Sequence, residues 1–232
     1  MPQMSAHEKS KDEMLDLHNE DYVKLYLKKN ILRVAQLLPM MDVQRTDVVG
    51  DFGCGTGMLL RVLADKIAEY HGIDFSEPFI REARRIADER GLHNASFIAA
   101  DIVQYCKDNN GKFDKAFTLD FSEHIYDKDF LEIYQAIHSS LKPDGILYLH
   151  TPNGAYFLEA MRNKGILRQR PEHVAVRTAR EYVRLLEACG FKDISVQIIP
   201  HYVFPLRQVH ALSFLPGMKE RLGARLFIKC GK

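Results

Sequence analysis

The stretch VVGDFGCGTGM, from Val48 to Met58, decides how the rest of the chain is read. Two valines lead into Asp51, and Gly53, Gly55 and Gly57 then fall at alternating positions. Glycines crowded behind an apolar run mark a place where backbone comes close to a ligand. A P-loop would need a Lys-Ser or Lys-Thr pair behind its glycines, and none follows here. The dinucleotide fingerprint would put its third glycine at position 58, which is Met58. Asp51 would repel a pyrophosphate but attracts a cation. The loop therefore favours a ligand with an ammonium or sulfonium group.

Working outward, strands and helices alternate. A strand at Val48–Phe52 leads through the glycine turn into a helix expected from about Gly57 to Ala68. Tyr70–Ile73 is a short strand ending at Asp74. A helix from about Ser76 to Arg90 follows, with Ser76 as N-cap, Pro78 in its first turn and Gly91 as its stop. ASFIAAD and KFDKAFTLD read as the third and fourth strands, DKDFLEIYQAIHSSLKPDG as an amphipathic helix ended by a Pro-Asp-Gly turn, and ILYLHTP as the fifth strand. AREYVRLLEACGF gives another helix, then DISVQIIP and ARLFIKC two more strands. This rhythm predicts an α/β fold with a mostly parallel sheet and helices on both faces. Before it, Leu17, Tyr22, Val23, Tyr26, Leu27, Val34, Leu37 and Leu38 fit one or two amphipathic helices ended by Pro39.

Acids end the successive strands. Asp74 sits about twenty residues past the glycine turn, where a βαβ unit places the acceptor for ribose hydroxyls. Asp101 ends the third strand, where the adenine is expected. Asp120 ends the fourth, beside the switch point at which open α/β sheets bind ligands. A ribose at Asp74 and a cationic amino-acid end at the glycines together describe S-adenosylmethionine.

These segments, VVGDFGCGTG, GIDFS, AADI and LKPDGILYLHTPN, resemble the successive motifs of class I S-adenosylmethionine-dependent methyltransferases. FDKAFTLDFSEHIYD, TPN and EHVAVRTAREYVRLLEACGF are most similar to the group of ubiquinone-pathway O-methyltransferases and their relatives. The resemblance implies a Rossmann-like seven-stranded sheet in the order 3-2-1-4-5-7-6, closed by ARLFIKC as strand seven. It implies an N-terminal helical cap over residues 1–45 and a methyltransferase domain over 46–232, with a lid-like insertion at about 152–178. It further implies that Asp51 and the loop Gly53, Cys54, Gly55, Thr56 and Gly57 hold the methionine end of the cofactor. Asp74 would hold the ribose, Phe75 the adenine face, and Asp101 and Ile102 the adenine edge. Asp120 and Phe121 would lie near the sulfonium.

Methyl transfer to a hydroxyl needs a proton acceptor, and a histidine has a suitable pKa. His124, just past strand four, and His173, at the end of the insertion, are the candidates; His150, inside strand five, reads as a core residue. Some relatives hold a divalent metal through acids in the motif after strand four. Asp120 and Glu123, with His124, match in type, but only two acids stand where several are usual, so no metal is expected. The Asn/Asp-Pro-Pro-aromatic motif of nucleobase amino-methyltransferases is absent, and no nucleic-acid partner is expected. Tyr22, Tyr26, Tyr156 and Arg168 are the candidate acceptor contacts, with Phe157, Met161, Ile166, Arg162 and Arg170 beside them. They favour a small or lipid-tailed acceptor over a macromolecule. N- or C-methylation, a silent cofactor-binding subunit and an NAD-dependent oxidoreductase are the competing readings.

Composition agrees with this. At 232 residues and 46% hydrophobic, the chain can build one sizeable α/β domain. No apolar run approaches the about 18 residues of a membrane span, and the polar N-terminal stretch is unlike a signal peptide. The four cysteines are scattered without a CxxC pair, which predicts a reducing, cytoplasmic setting without disulfide or zinc. Net charge is +1, yet from Thr151 onward 14 Lys and Arg stand against 6 Asp and Glu. That basic third permits contact with an acidic substrate or an anionic membrane surface.

Overall fold

Val48–Phe52 forms β1 at the centre of the sheet, its last four residues all buried. The computed structural model describes residues 19–168, 172–201 and 218–232, together with Glu13 and Gln208. Leu17, Arg170 and the first part of the expected helical cap lie outside these residues. β1 is flanked in parallel by β2 (Glu69–Asp74) and β4 (Phe113–Leu119), with β3 (Ala95–Ala99) beyond β2. On the other side β5 (Leu141–Pro152) runs parallel to β4. β7 (Arg225–Gly231) is inserted antiparallel between β5 and β6 (Lys192–Ile199). The order is thus 3-2-1-4-5-7-6, as the resemblance implies.

Helices cover both faces. One face packs α5 (Ile102–Asp108), α6 (Asp127–Ser140) and, beyond the short α7 (Phe157–Asn163) of the insertion, α8 (Ala179–Ala188) through a single apolar cluster. In α6 the buried side chains Phe130, Tyr134 and Ile137 recur at helical spacing. α8 begins with a capping box between Thr178 and Glu181. The other face packs α2 (Leu32–Ala35), α3 (Leu60–Leu63) and α4 (Glu77–Glu89) against the sheet. α1 (Glu20–Leu27) leans on α4, with Tyr26 edge-on to Phe79 at 5.3 Å.

Several expected boundaries change for local reasons. The helix expected over Gly57–Ala68 shortens to Leu60–Leu63, because φ stays positive through Gly53, Gly55 and Gly57 and delays its start. Its far end stops early because the Asn94 amide donates to the carbonyls of Ala64 and Ile67 at 2.9 and 3.3 Å. Pro39 does not end a helix but sits within a 3-10 turn, Leu38–Met40, where its missing N–H costs nothing. Leu27 closes α1 facing outward rather than on the buried stripe. Ser76 takes the N-cap position of α4 without a side-chain capping bond.

Candidate functional site

The carboxyl ends of β1, β2, β3 and β4 open into one cavity of about 530 Å³ among the described residues. Gly53 and Gly55 form part of its wall. A side chain at Gly53 is excluded twice: φ is +77, and a Cβ would stand 2.5 Å from the Phe121 ring. The loop is braced by Asp74, whose Oδ2 accepts from the Gly55 N–H at 3.0 Å and whose Oδ1 accepts from the Ser76 N–H at 2.9 Å. Asp74 and Phe75 face the cavity, as do Ile102 and Asp101, the latter also capping α5 through the Val103 and Gln104 N–H groups. A glycine cradle, an acid at the end of β2 and an apolar slot beyond it fit an adenosyl amino acid.

Four other residues of the expected cofactor set stand behind this wall. Asp51, Cys54, Thr56 and Gly57 do not line the cavity, and Cys54 and Thr56 are buried. Asp51 is 3% exposed and accepts a hydrogen bond from the Tyr70 hydroxyl. Burial pushes its carboxyl up to about 7; the Tyr70 bond works against the shift and the Asp74 charge adds to it. An unfolded aspartate ionises near pH 4, so between about pH 4 and 7 the folded chain keeps a proton that the unfolded chain has lost. The stability contributed is present below pH 4 and gone above 7. Asp51→Asn should therefore stabilise the ligand-free protein at pH 8 by about 1 kcal/mol or more and flatten its stability between pH 5 and 7. Urea melts of both forms at pH 5 and 8 would show it, and equal midpoints at pH 8 would contradict it.

The cavity floor holds a group that spacing alone did not reveal. Asp120, directly after β4, has φ +55, and its carboxylate is gripped by the guanidinium groups of Arg33 on α2 and Arg225 on β7. His150 of β5 lies 3.3 Å from the same carboxylate. Arg33, His150 and Arg225 are buried, and the Asp120 side chain is 9% exposed, open only to the cavity. Burial, with Arg33 nearby, lowers the His150 imidazole to about 3, so it is neutral, and the same two causes pull Arg225 well below its usual range. His150 is thus a core residue, as expected, but one that packs a charge cluster. Asp120 and Phe121 both face the cavity.

Beside the floor, the 3-10 turn Ser122–His124 carries Glu123 and His124 into the cavity wall. Glu123 is 1% exposed and accepts from the Thr151 hydroxyl at 3.2 Å. Burial pushes its carboxyl up to about 7, opposed by that bond and by Arg33 and Lys29. The Nδ1 of His124 lies 2.7 Å from the Glu172 carbonyl, which can only accept. The proton therefore sits on Nδ1 and the lone pair on Nε2. His173 meets His124 edge to face at 5.3 Å.

The insertion is fastened here by Arg177, 4% exposed, which donates to the carbonyls of Ser122 and Ile125 and to Asp127, each at 2.8 Å. The N–H groups of Val174 and Ala175 add bonds to the Glu123 carbonyl. A segment read as a lid thus has one end pinned to the motif after β4.

Of the expected acceptor contacts, Tyr22 and Tyr26 line the cavity, and Lys29 rests 4.0 Å over the Tyr26 ring. Tyr156 is buried against Phe157, and Arg168 is exposed; neither lines the cavity. Arg162 pairs with Glu159, and Ile166 is exposed. Asp120 does not fit a metal, since two arginines already occupy its carboxylate. Glu123, His124 and His173 do converge, one donor atom from each lying within 4.8 Å of the others. Among the described residues, no helix is long and apolar enough to cross a membrane.

A family profile described as a methyltransferase domain matches residues 20–196. A ubiquinone biosynthesis O-methyltransferase of Actinobacillus pleuropneumoniae is 29% identical over 66% of this chain and 68% of its own. A carboxy-S-adenosyl-L-methionine synthase of Desulfotalea psychrophila is 31% identical over 60% of this chain; the match spans about half of that relative, 55%. In fold, the chain superposes with a TM-score of 0.70 on a structure of the Haloferax volcanii Trm112 methyltransferase activator in complex with a methyltransferase. That match covers 96% of this chain and 99% of the other, at 19% identity.

Proposed function

The chain belongs to the class I S-adenosylmethionine-dependent methyltransferases, and on that premise we propose that it methylates a hydroxyl of a small or lipid-tailed acceptor, with His124 as the proton acceptor. The observation that carries this reading is the His124 tautomer: its Nδ1–H is fixed on the Glu172 carbonyl, which leaves a basic Nε2 in the wall of the cofactor cavity.

S-adenosylmethionine supplies a methyl group already activated on a sulfonium sulfur. The protein has to hold the two partners and take a proton. Gly53, Gly55 and Asp74 would hold the amino-acid and ribose portions, Phe75, Asp101 and Ile102 the adenine. Asp51, Cys54, Thr56 and Gly57 would act from behind, by fixing the loop. Bound there, the cofactor would supply its methyl carbon to the acceptor oxygen, with the sulfur as leaving group. Nε2 of His124 would take the acceptor proton, and His173 would flank the same oxygen. Tyr22 and Tyr26 would contact the acceptor; Tyr156 and Arg168 would do so only if the insertion closed further.

A cavity of about 530 Å³ supports a small acceptor, since it must also take the cofactor. The setting we propose is cytoplasmic, with the basic surface after Thr151 available to an anionic membrane that carries a lipid-tailed acceptor.

Asp74→Ala tests the cofactor half. It removes a charged hydrogen-bond acceptor for the ribose and the brace on Gly55. Two charge-assisted bonds contribute about 1.5–3 kcal/mol each, so affinity for S-adenosylmethionine should fall about 100-fold or more. Calorimetry on the wild type and the variant decides it. Failure of the wild type to bind would overturn the whole reading.

A further inference from the structure

We propose that the floor of the cavity binds a carboxylate on the acceptor, with Arg225 as its direct contact. The substrate class is then a hydroxy acid, small or lipid-tailed, rather than an uncharged alcohol. That its hydroxyl is methylated rests on the function proposed above; that its carboxylate binds does not.

Arg225 is 7% exposed and lines the cavity. Its Nε and Nη2 are directed to the His150 imidazole and the Asp120 carboxylate. Its Nη1 donates to nothing among the described residues and is open to the cavity rather than sealed behind it. A buried guanidinium with an unused donor facing an opening suits a planar, anionic acceptor group. Burial and the neighbouring Arg33 both work against the Arg225 charge, and a second carboxylate would offset both. Arg33 and Lys29 line the same cavity, and both are close enough to Glu123 to act on its carboxyl.

The order of the strands separates this place from the one that would hold the cofactor's own carboxylate. The glycine loop follows β1, whereas Arg225 opens β7, with β4 and β5 between them in the sheet. A cofactor laid from β3 to β1 presents its methyl group toward β4, so the space beyond, toward β7, is left to the acceptor. His124 stands in the same cavity wall. A hydroxyl at its Nε2 and a carboxylate at Arg225 would fix the acceptor at two points, which orients it for transfer. A monoanion suits the floor better than a phosphate dianion, because Asp120 and Glu123 face the same space.

The test uses the full chain with S-adenosylhomocysteine and two matched pairs of probes, 3-(4-hydroxyphenyl)propionate and 3-hydroxyoctanoate, each beside its carboxamide. At least one acid should bind about 10-fold or more tightly than its amide by calorimetry, as expected for hydrogen bonds to a charged group. Arg225→Lys keeps the charge opposite Asp120 but loses the planar fork, and should weaken that acid about 10-fold or more while S-adenosylmethionine affinity stays within about threefold. Inorganic phosphate at the same concentration should not displace the acid. The pairs are also measured without S-adenosylhomocysteine, so that failure of the cofactor reading leaves this result standing, and the comparison on the wild type decides even where the variant is unstable. The proposal fails if neither acid outbinds its amide, if Arg225→Lys binds the acid as the wild type does, or if phosphate displaces it. It fails too if the variant loses acid and S-adenosylmethionine affinity equally, which would assign Arg225 to the cofactor's carboxylate.

Discussion

Alanine at Asp120 should cost the protein about 3–5 kcal/mol of stability, the range seen when one partner of a buried ion pair is removed. The reason is what remains. Arg33 and Arg225 are 5% and 7% exposed and face each other across the lost carboxylate, with only a neutral His150 between them. For a chain of this size the midpoint of thermal unfolding should fall by about 10 °C or more. A double variant, Asp120→Ala with Arg225→Met, should recover part of the loss, since it deletes one of the two stranded charges. Urea unfolding of the three proteins measures both effects. A loss below about 1 kcal/mol for Asp120→Ala would mean that water or Glu123 already compensates the arginines, and the charge cluster would not be a structural unit.

His124→Ala should leave S-adenosylmethionine affinity within about threefold and lower turnover by about 10²- to 10⁴-fold, the usual contribution of a positioned acid–base group. The separation follows from the geometry. The side of the cavity that would hold the cofactor is built from β1, β2 and β3, and His124 stands on the turn after β4 with its hydrogen bond directed to the insertion. Turnover is read as release of S-adenosylhomocysteine across a panel of small and lipid-tailed hydroxyl acceptors. Unchanged turnover would remove His124 from the chemistry, and lost cofactor binding would make it a structural residue.

The sheet was legible because its signals are local. Three alternating glycines, an apolar run ahead of them and an acid at the next strand end lie within 27 residues, Val48 to Asp74. Each has a backbone reason that any chain must obey. The position of β7 between β5 and β6 came only with the family resemblance, because an antiparallel pairing leaves no mark on spacing. The site was half legible. Asp74 ends β2, and Phe75, Asp101 and His124 follow strands within five residues, where topology aims them at the cavity.

Arg33 and Arg225 were missed, although each was marked faintly: a cation in the apolar run ILRVAQLL, and another opening the apolar strand ARLFIKC. An arginine in a stretch that is otherwise buried implies a partner, but nothing in the sequence says that the partner is Asp120, 87 residues from Arg33. The same holds for His173. Its approach to His124 depends on Arg177, whose five-donor head joins three separate points of the chain.

Arg225 stands at the first residue of the strand that is synthesised after the other six, yet it completes the floor of a cavity framed by the first four. A growing chain that has reached β6 already holds the glycine loop, Asp74 and His124, but its Asp120 has only one of its two cations. β6 then has no neighbour through which to join β5. The floor of the cavity therefore closes only once translation has passed Arg225, and until then β5 keeps an open edge.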